Sequence, residues 1–362
     1  MSERQMVALL GRPDEPTDAV EEYCTYLGTG LRGHGIALEV ARVPWVSMGW
    51  AAALREVRQR AESWRGAWVL VQYTALAWST RGFPQRFLRI VQALGDAGSR
   101  VCVIYHDVEP YGGLRIVDRL RRRAQLSTMR GVLRIADAGV FTVPLNVVSW
   151  LGKPPDTSHF IPIGANLPIR AAGAESYAVR SGETPRVVIF GITGGETGKK
   201  ECREIIAALT ATAKKLGKLK LHAFGRGTTE AGNVLQAGLL GSNVEVELED
   251  VLPAERVVYA LRGADLMLFV REPISTRRGS AIAGISCGLP VIAYRGPHTT
   301  APITEAGVVL VSKAQPGELS AAMIRVLSDP QYRELLAERS RSAYERCFNW
   351  DTIAGRYAEV LK

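Results

Sequence analysis

Short apolar, β-branched runs alternate with longer stretches of helical period along the first half of the chain. The runs "MVALLG" (6–11), "ALEVARV" (37–43), "AWVLVQY" (67–73), "RVCVIYH" (100–106), "AGVFTV" (138–143) and "HFIPIG" (159–164) predict buried strands. Helical patterns fall between them, near 17–33, 50–63, 83–97 and 115–134. Strands apolar on both faces, each followed by a helix, belong to a parallel sheet covered on both sides. The stretch "ANLPIRAAGAESYAVRSGETP" (165–185) then loses its apolar period and gathers small residues, Pro and Gly, which marks a linker.

After the linker the same pattern restarts. Strands are predicted at "RVVIFGI" (186–192), "KLHAFGR" (220–226), "VEVEL" (244–248), "ADLMLFV" (264–270) and "PVIAY" (290–294), and helices near 199–216 and 253–263. A further helix follows 270, and three more are expected near 316–328, 330–345 and 347–361. The fold class is therefore α/β, with two tandem Rossmann-like doubly wound domains at 1–166 and 167–345 and a terminal helical segment at 346–362. In such open sheets ligands bind beyond the carboxyl ends of the strands, and two facing domains enclose a substrate in the cleft between them.

Composition narrows the class. The 362 residues exceed the roughly 100–200 of a typical domain and fit two. With 47% hydrophobic and 22% charged residues the chain reads as globular rather than disordered. No apolar run reaches the ~18–20 residues of a membrane span, and the N-terminus breaks at Gly11-Arg12-Pro13 without a cleavage signal, so a cytoplasmic location is expected. Five scattered cysteines, with no CxxC and no Cys/His cluster, argue against disulfides and a zinc site. The formal charge of +9 points to an anionic partner. Nucleic acid would explain that charge but not the tandem α/β order, so no nucleic acid is expected.

The most telling stretch is "REPISTRRGSAIAGISCGLPVIAY" (271–294). Arg277, Arg278, Gly279 and Ser280 sit where a helix begins just after a strand. A helix start offers free amides and a positive dipole end, a glycine admits a ligand to the backbone, and guanidinium groups fit phosphate oxygens in pairs. The composition is that of a diphosphate cradle; a solvated helix start is the alternative. Gly288 and Pro290 close the helix and are structural.

The run from Asp265 to Tyr294 resembles the donor-binding segment of retaining glycosyltransferases of family 4, which have the GT-B fold. The ending "FNWDTIAGRYAEVL" and the early "EEYCTYLGTGLRGHGIALEV" are also similar to that family. The resemblance implies an N-terminal acceptor-binding domain, a C-terminal nucleotide-sugar domain, and a terminal helix that crosses back to the first domain. It further implies sugar transfer with retention, no catalytic metal and no cofactor beyond the nucleotide-diphosphate sugar, whose base is open. The family's two glutamates, eight positions apart, fall here at Ser275 and Ala283, so an arginine-dominated variant branch is indicated, with Glu272 or Ser280 left to meet the ribose.

By the same resemblance, Gly191, Gly194, Gly195, Lys199 and Lys200 form a phosphate loop in which Ile192 replaces the family's arginine; an ordinary Gly-rich turn is the alternative. Gly225 and Arg226 follow the next strand beside the base. In the first domain Gly11, Arg12 and Asp18 lie on a loop that lines the cleft, although Asp18 also suits a helix N-cap. His106 and Asp107 stand near the sugar and acceptor as candidate catalytic residues. Tyr73, Trp78 and Arg81 mix aromatic and basic character on the acceptor side, or form a satellite core. The arginines from Arg115 to Arg134 would draw acidic lipid headgroups at the inner face of the membrane, or simply face solvent. The acceptor is a saccharide, a lipid-linked sugar or a small molecule. A sugar-nucleotide epimerase and a degenerate nucleotide-sugar binder are the competing readings.

Overall fold

The computed structural model describes residues 3–15, 17–169, 184–315 and 317–362. The linker expected at 165–185 lies largely outside them, since 170–183 are not described. The chain divides into two compact units, Met1–Ile163 with Trp350–Lys362, and Gly164–Asn349.

Unit 1 carries strands β1 (Arg4–Leu10), β2 (Ile36–Arg42), β3 (Trp68–Tyr73), β4 (Arg100–Tyr105), β5 (Ala138–Phe141) and β6 (Ser158–Phe160). Its helices are α1 (Ala19–Arg32), α2 (Trp45–Met48), α3 (Trp50–Ala61), α4 (Gln85–Asp96) and α5 (Ile116–Ile135). The strands pair in parallel in the order β2-β1-β3-β4-β5-β6. Alternate side chains serve opposite faces: Val7, Leu9, Val69 and Val71 join one buried cluster, and Met6, Ala8, Leu10 and Leu70 the other. Burial on both faces is why these strands read as unbroken apolar runs.

Unit 2 repeats the plan with β7 (Arg186–Phe190), β8 (Leu219–Phe224), β9 (Val244–Leu248), β10 (Leu266–Phe269), β11 (Val291–Tyr294) and β12 (Val308–Val311). Between and after them lie α6 (Gly195–Leu216), α7 (Thr228–Leu239), α8 (Ala254–Arg262), α9 (Gly279–Ser286), α10 (Glu318–Ser328) and α11 (Pro330–Ala343). The parallel order is β12-β11-β10-β7-β8-β9. The two doubly wound α/β domains read from the sequence are both present. Three elements went unread: α2 and β12 are only four residues long, and α7 carries Gly232 and Gly238, which weaken its helical signal.

In both sheets the chain first builds outward to one side and then returns to the opposite side of its first strand. The reversal lies between β1 and β3 in unit 1 and between β7 and β10 in unit 2. The crossover helices leave in opposite directions there, which opens a crevice at the strands' carboxyl ends.

The terminal helix α12 (Trp350–Val360) belongs to unit 1 and packs on α1. Trp350 stacks on Tyr26 with ring centroids 5.8 Å apart, and the Tyr23 and Tyr357 hydroxyls share a buried hydrogen bond of 2.7 Å. Burial pushes both phenols up, so both stay protonated. Gly30 makes the close approach possible, because a Cβ there would stand 2.8 Å from the Trp350 carbonyl oxygen and 2.9 Å from Ala354 Cβ. Gly30→Leu should therefore force α12 outward and destabilise the protein by about 1–3 kcal/mol. Urea unfolding checks this; an unchanged midpoint would mean that α12 is not held at this contact.

Candidate functional site

The crevice of unit 1 is a cavity of about 230 Å³ whose lining includes Gly11, Arg12, Asp18, Gln72, Asp107 and Tyr111. Gly11 follows β1 and lies so close to the loop after β3 that a Cβ would stand 2.4 Å from the Ala77 carbonyl oxygen. The Arg12 amide donates to that oxygen at 2.8 Å. Asp18 is the N-cap of α1, accepting from the amides of Val20 at 3.1 Å and Glu21 at 3.2 Å. Arg42, at the end of β2, fastens the loop by donating to Gly11 O at 2.9 Å, Asp18 at 3.0 Å and Glu21 at 2.7 Å. Arg42 is thus spent on structure. Arg12 is different: its Nε is buried in this cavity wall with no hydrogen-bond partner among the described residues.

The loop after β4 brings Asp107 to the same cavity. Its carboxylate accepts from the Ala75 amide at 2.8 Å and the Tyr111 hydroxyl at 3.1 Å, which ties the loops after β3 and β4 together. His106 turns elsewhere. Its Nε2 meets Gln72 Oε1 at 2.9 Å and its ring sits edge-on to Tyr23 at 5.0 Å, and it does not line the cavity.

Tyr73 and Trp78 require correction as acceptor-side residues. Both are 1% exposed and belong to the core under β3 and α4, packing on Phe87 with ring centroids 5.1 and 4.8 Å away. The Trp78 indole donates inward to Gln72 O at 2.8 Å. Burying two large rings outweighs displaying them, so neither ring is presented to an acceptor. Arg81 is exposed on the loop before α4, and its carbonyl accepts from Arg121 Nε at 2.9 Å.

At the crevice of unit 2 the backbones of two loops meet closely. Gly191 follows β7 at φ +81°, and Gly225 and Gly227 follow β8 at φ +97° and +77°. A Cβ on Gly227 would stand 2.1 Å from the Ile192 carbonyl oxygen, and Ile192 N donates to Arg226 O at 2.9 Å. These glycines lock one loop onto the other. Arg226 contributes its backbone to that lock.

The start of α6 also departs from the expected phosphate loop. The Gly195 amide donates to Glu230 at 3.1 Å and the Thr193 amide to the buried Glu201 at 2.8 Å. Lys199 pairs with Glu196 at 2.6 Å in full exposure. Glu230 thus takes the first amide of α6, while Lys199, Lys200 and Arg203 stand close enough to Glu196 to lower its pKa.

The positive groups lie across the reversal point instead. Arg271 follows β10, and its Nη1 is 3.1 Å from where a Cβ on Gly191 would be. Its Nε, like that of Arg277, is buried without a hydrogen-bond partner among the described residues. Arg278 forms an ion pair with Glu272. Glu272 therefore balances Arg278 instead of standing ready for a ribose. Gly279 and Ser280 open α9, which no side chain caps, so the first-turn amides are left for solvent or a ligand. The side-chain hydroxyl of Ser275 is also buried without a partner among the described residues.

Arg271 escaped the sequence reading. Its signal was available, since it directly follows a buried strand, but only the sheet order puts that strand beside β7. Arg42, Gln72 and Tyr111 were missed for the same reason. Away from both crevices, His222, Glu247 and Glu249 form the one group among the described residues whose ligand atoms all lie within 4.8 Å of one another. It is linked internally, with His222 2.8 Å and Arg256 2.6 Å from Glu249.

No family model and no curated protein matches the chain by sequence. Solved structures do match it along its whole length. A glycosyltransferase from Rickettsia africae is similar with a TM-score of 0.69 at 12% identity, covering 100% of this chain and 98% of that one. Anabaena HepE in complex with UDP and glucose aligns at 0.67 and 16%, covering 100% and 99%. WaaG, a glycosyltransferase involved in lipopolysaccharide biosynthesis, aligns at 0.64 and 14%, covering 99% of each. The chain thus has the two-domain GT-B fold.

Proposed function

We propose that the protein is a glycosyltransferase that moves a sugar from a nucleotide-diphosphate sugar, held by unit 2, to an acceptor taken up by unit 1. One observation carries the reading: two arginines with unsatisfied guanidinium nitrogens, Arg271 and Arg277, flank an uncapped helix start at the sheet-order reversal of unit 2. A diphosphate satisfies all of these donors at once.

The chemistry follows from the charges. Cleavage of the glycosidic bond leaves negative charge on the departing diphosphate. Arg271, Arg277 and the Gly279 and Ser280 amides stabilise that charge in place, and Arg278 joins them if its pairing with Glu272 loosens. Fixed donors that need no reorganisation lower the barrier most. Transfer then proceeds with retention and with fixed cations in the role a metal ion plays elsewhere. Arg271 supplies the guanidinium that Ile192 lacks. Ser275, with its unpartnered hydroxyl, and Ser280 are the groups assigned to the ribose. Arg12 and Asp107 in the unit 1 cavity orient the acceptor, and His106 positions Gln72, which lines the same cavity.

Two measurements test this. Nucleoside diphosphates and their sugars are screened by thermal unfolding of the full chain, with UDP first because HepE is known in complex with it. A ligand at one hundred times its Kd adds about 2.7 kcal/mol to stability. Arg271→Ala and Arg277→Ala should each weaken the bound nucleotide roughly tenfold to a hundredfold, the worth of a charge-assisted contact, whereas Lys199→Ala should leave it unchanged. Stabilisation by none of the nucleotides would sink the donor assignment.

The second measurement separates the two units. Asp107→Ala should lower transfer or donor hydrolysis by roughly tenfold or more, since the loops after β3 and β4 lose their tie, while nucleotide stabilisation stays intact. Loss of nucleotide stabilisation in this variant would contradict the division of labour. Full nucleotide binding with no turnover towards any acceptor or water would favour the degenerate binder.

A further inference from the structure

The helix α5 and the residues just before it make an exposed surface that the proposed transfer does not use. In the helix, Gln125, Thr128, Met129, Val132 and Leu133 are buried and define the inner stripe. Directly opposite, at i and i+4, stand Ile116 and Leu120, which are 78% and 51% exposed. Leu114, just before the helix, is 93% exposed, and Val117 is 43% exposed. Four apolar side chains in a row at such exposure are not explained by folding, since each costs free energy in water.

The charge around them is single-signed. Arg115, Arg119, Arg122 and Arg123 are exposed beside the apolar group, and Arg130 and Arg134 continue the outer face along the helix. The helix's one acid, Asp118, is drawn sideways into a 2.8 Å ion pair with Arg121. No ion pair joins Arg119, Arg122 or Arg123 among the described residues.

We infer that this patch docks the protein on an anionic phospholipid bilayer, with Leu114, Ile116 and Leu120 entering the interfacial layer and the surrounding arginines meeting lipid phosphates. Apolar side chains at the tip with cations at the rim are the pattern an interfacial helix needs. A second copy of the chain fits poorly, because a two-fold contact through this patch would set the same unpaired arginines against each other. A purely electrostatic polyanion partner would leave the apolar tip without a role. The inference is independent of the donor site and stands whichever nucleotide, if any, unit 2 binds.

The test is co-sedimentation of the full chain with vesicles of phosphatidylcholine alone and of phosphatidylcholine mixed with phosphatidylglycerol. The wild type should pellet with the mixed vesicles and stay in solution with the neutral ones. Leu114→Ser with Ile116→Ser should weaken binding roughly tenfold or more. Arg119→Glu with Arg123→Glu should do at least as much, since each arginine near an anionic surface contributes roughly fivefold to partitioning. Both variants change fully solvated positions, so their unfolding midpoints should match the wild type, which excludes misfolding as the cause. Wild-type protein that ignores mixed vesicles would overturn the inference. So would binding indifferent to the two serines, which would make the contact a matter of charge alone. A solution dimer that dissociates in the serine variant would reassign the patch to self-association.

Discussion

A parallel strand cannot turn straight back on itself, and every feature of both units follows from that constraint. The chain must cross the sheet through a helix before it can add the next strand, so all strand carboxyl ends collect on one edge. Both faces are then covered by helices, which is why β1, β3, β4 and β7 are apolar at nearly every position. Where the strand order reverses, the helices diverge and the edge opens. The cavity beside Gly11 and the Arg271 guanidinium beside Gly191 occupy the same topological place in two different sheets.

Within that frame the glycines and the charged side chains divide the work. Gly11 and Gly227 stand where backbones approach too closely for a side chain, Gly191 and Gly225 adopt positive φ, and together they fix the loops against one another. Loops held this way present groups at set positions. Acidic side chains then decide which amides stay open: Glu230 takes the first amide of α6 and Asp18 fills the start of α1, while no side chain caps the start of α9. The proposed diphosphate site therefore lies at α9, on the β10 side of the reversal, where the buried Arg271 and Arg277 Nε atoms have no partner among the described residues.

A basic protein can carry several anion surfaces, and the two proposed here differ physically. Arg271 and Arg277 each carry a buried Nε, and a low local dielectric strengthens the contact such a group makes with one shaped ligand. The arginines of α5 are solvated, loosely placed and mixed with exposed leucine and isoleucine, which suits an extended and fluid partner. Net charge alone does not distinguish these cases. Burial and the neighbouring side chains do.

The order of elements, the restart after residue 185 and the arginines at the head of α9 were all legible in the sequence, because period, strand length and helix punctuation are local properties. Tyr73, Trp78 and Lys199 show the limit of that reading. Each has a side chain suited to a ligand, yet two are swallowed by the core and one is balanced by its own helix. Periodicity gives a side chain's face only relative to neighbours on the same element; which element covers that face is set by sheet order. The contact of Arg271 with the Gly191 loop, the capture of Gly195 by Glu230 and the seat of α12 on α1 join residues remote in the chain. Tertiary structure alone decided them, since each depends on which strands and helices became neighbours and how closely their backbones approach.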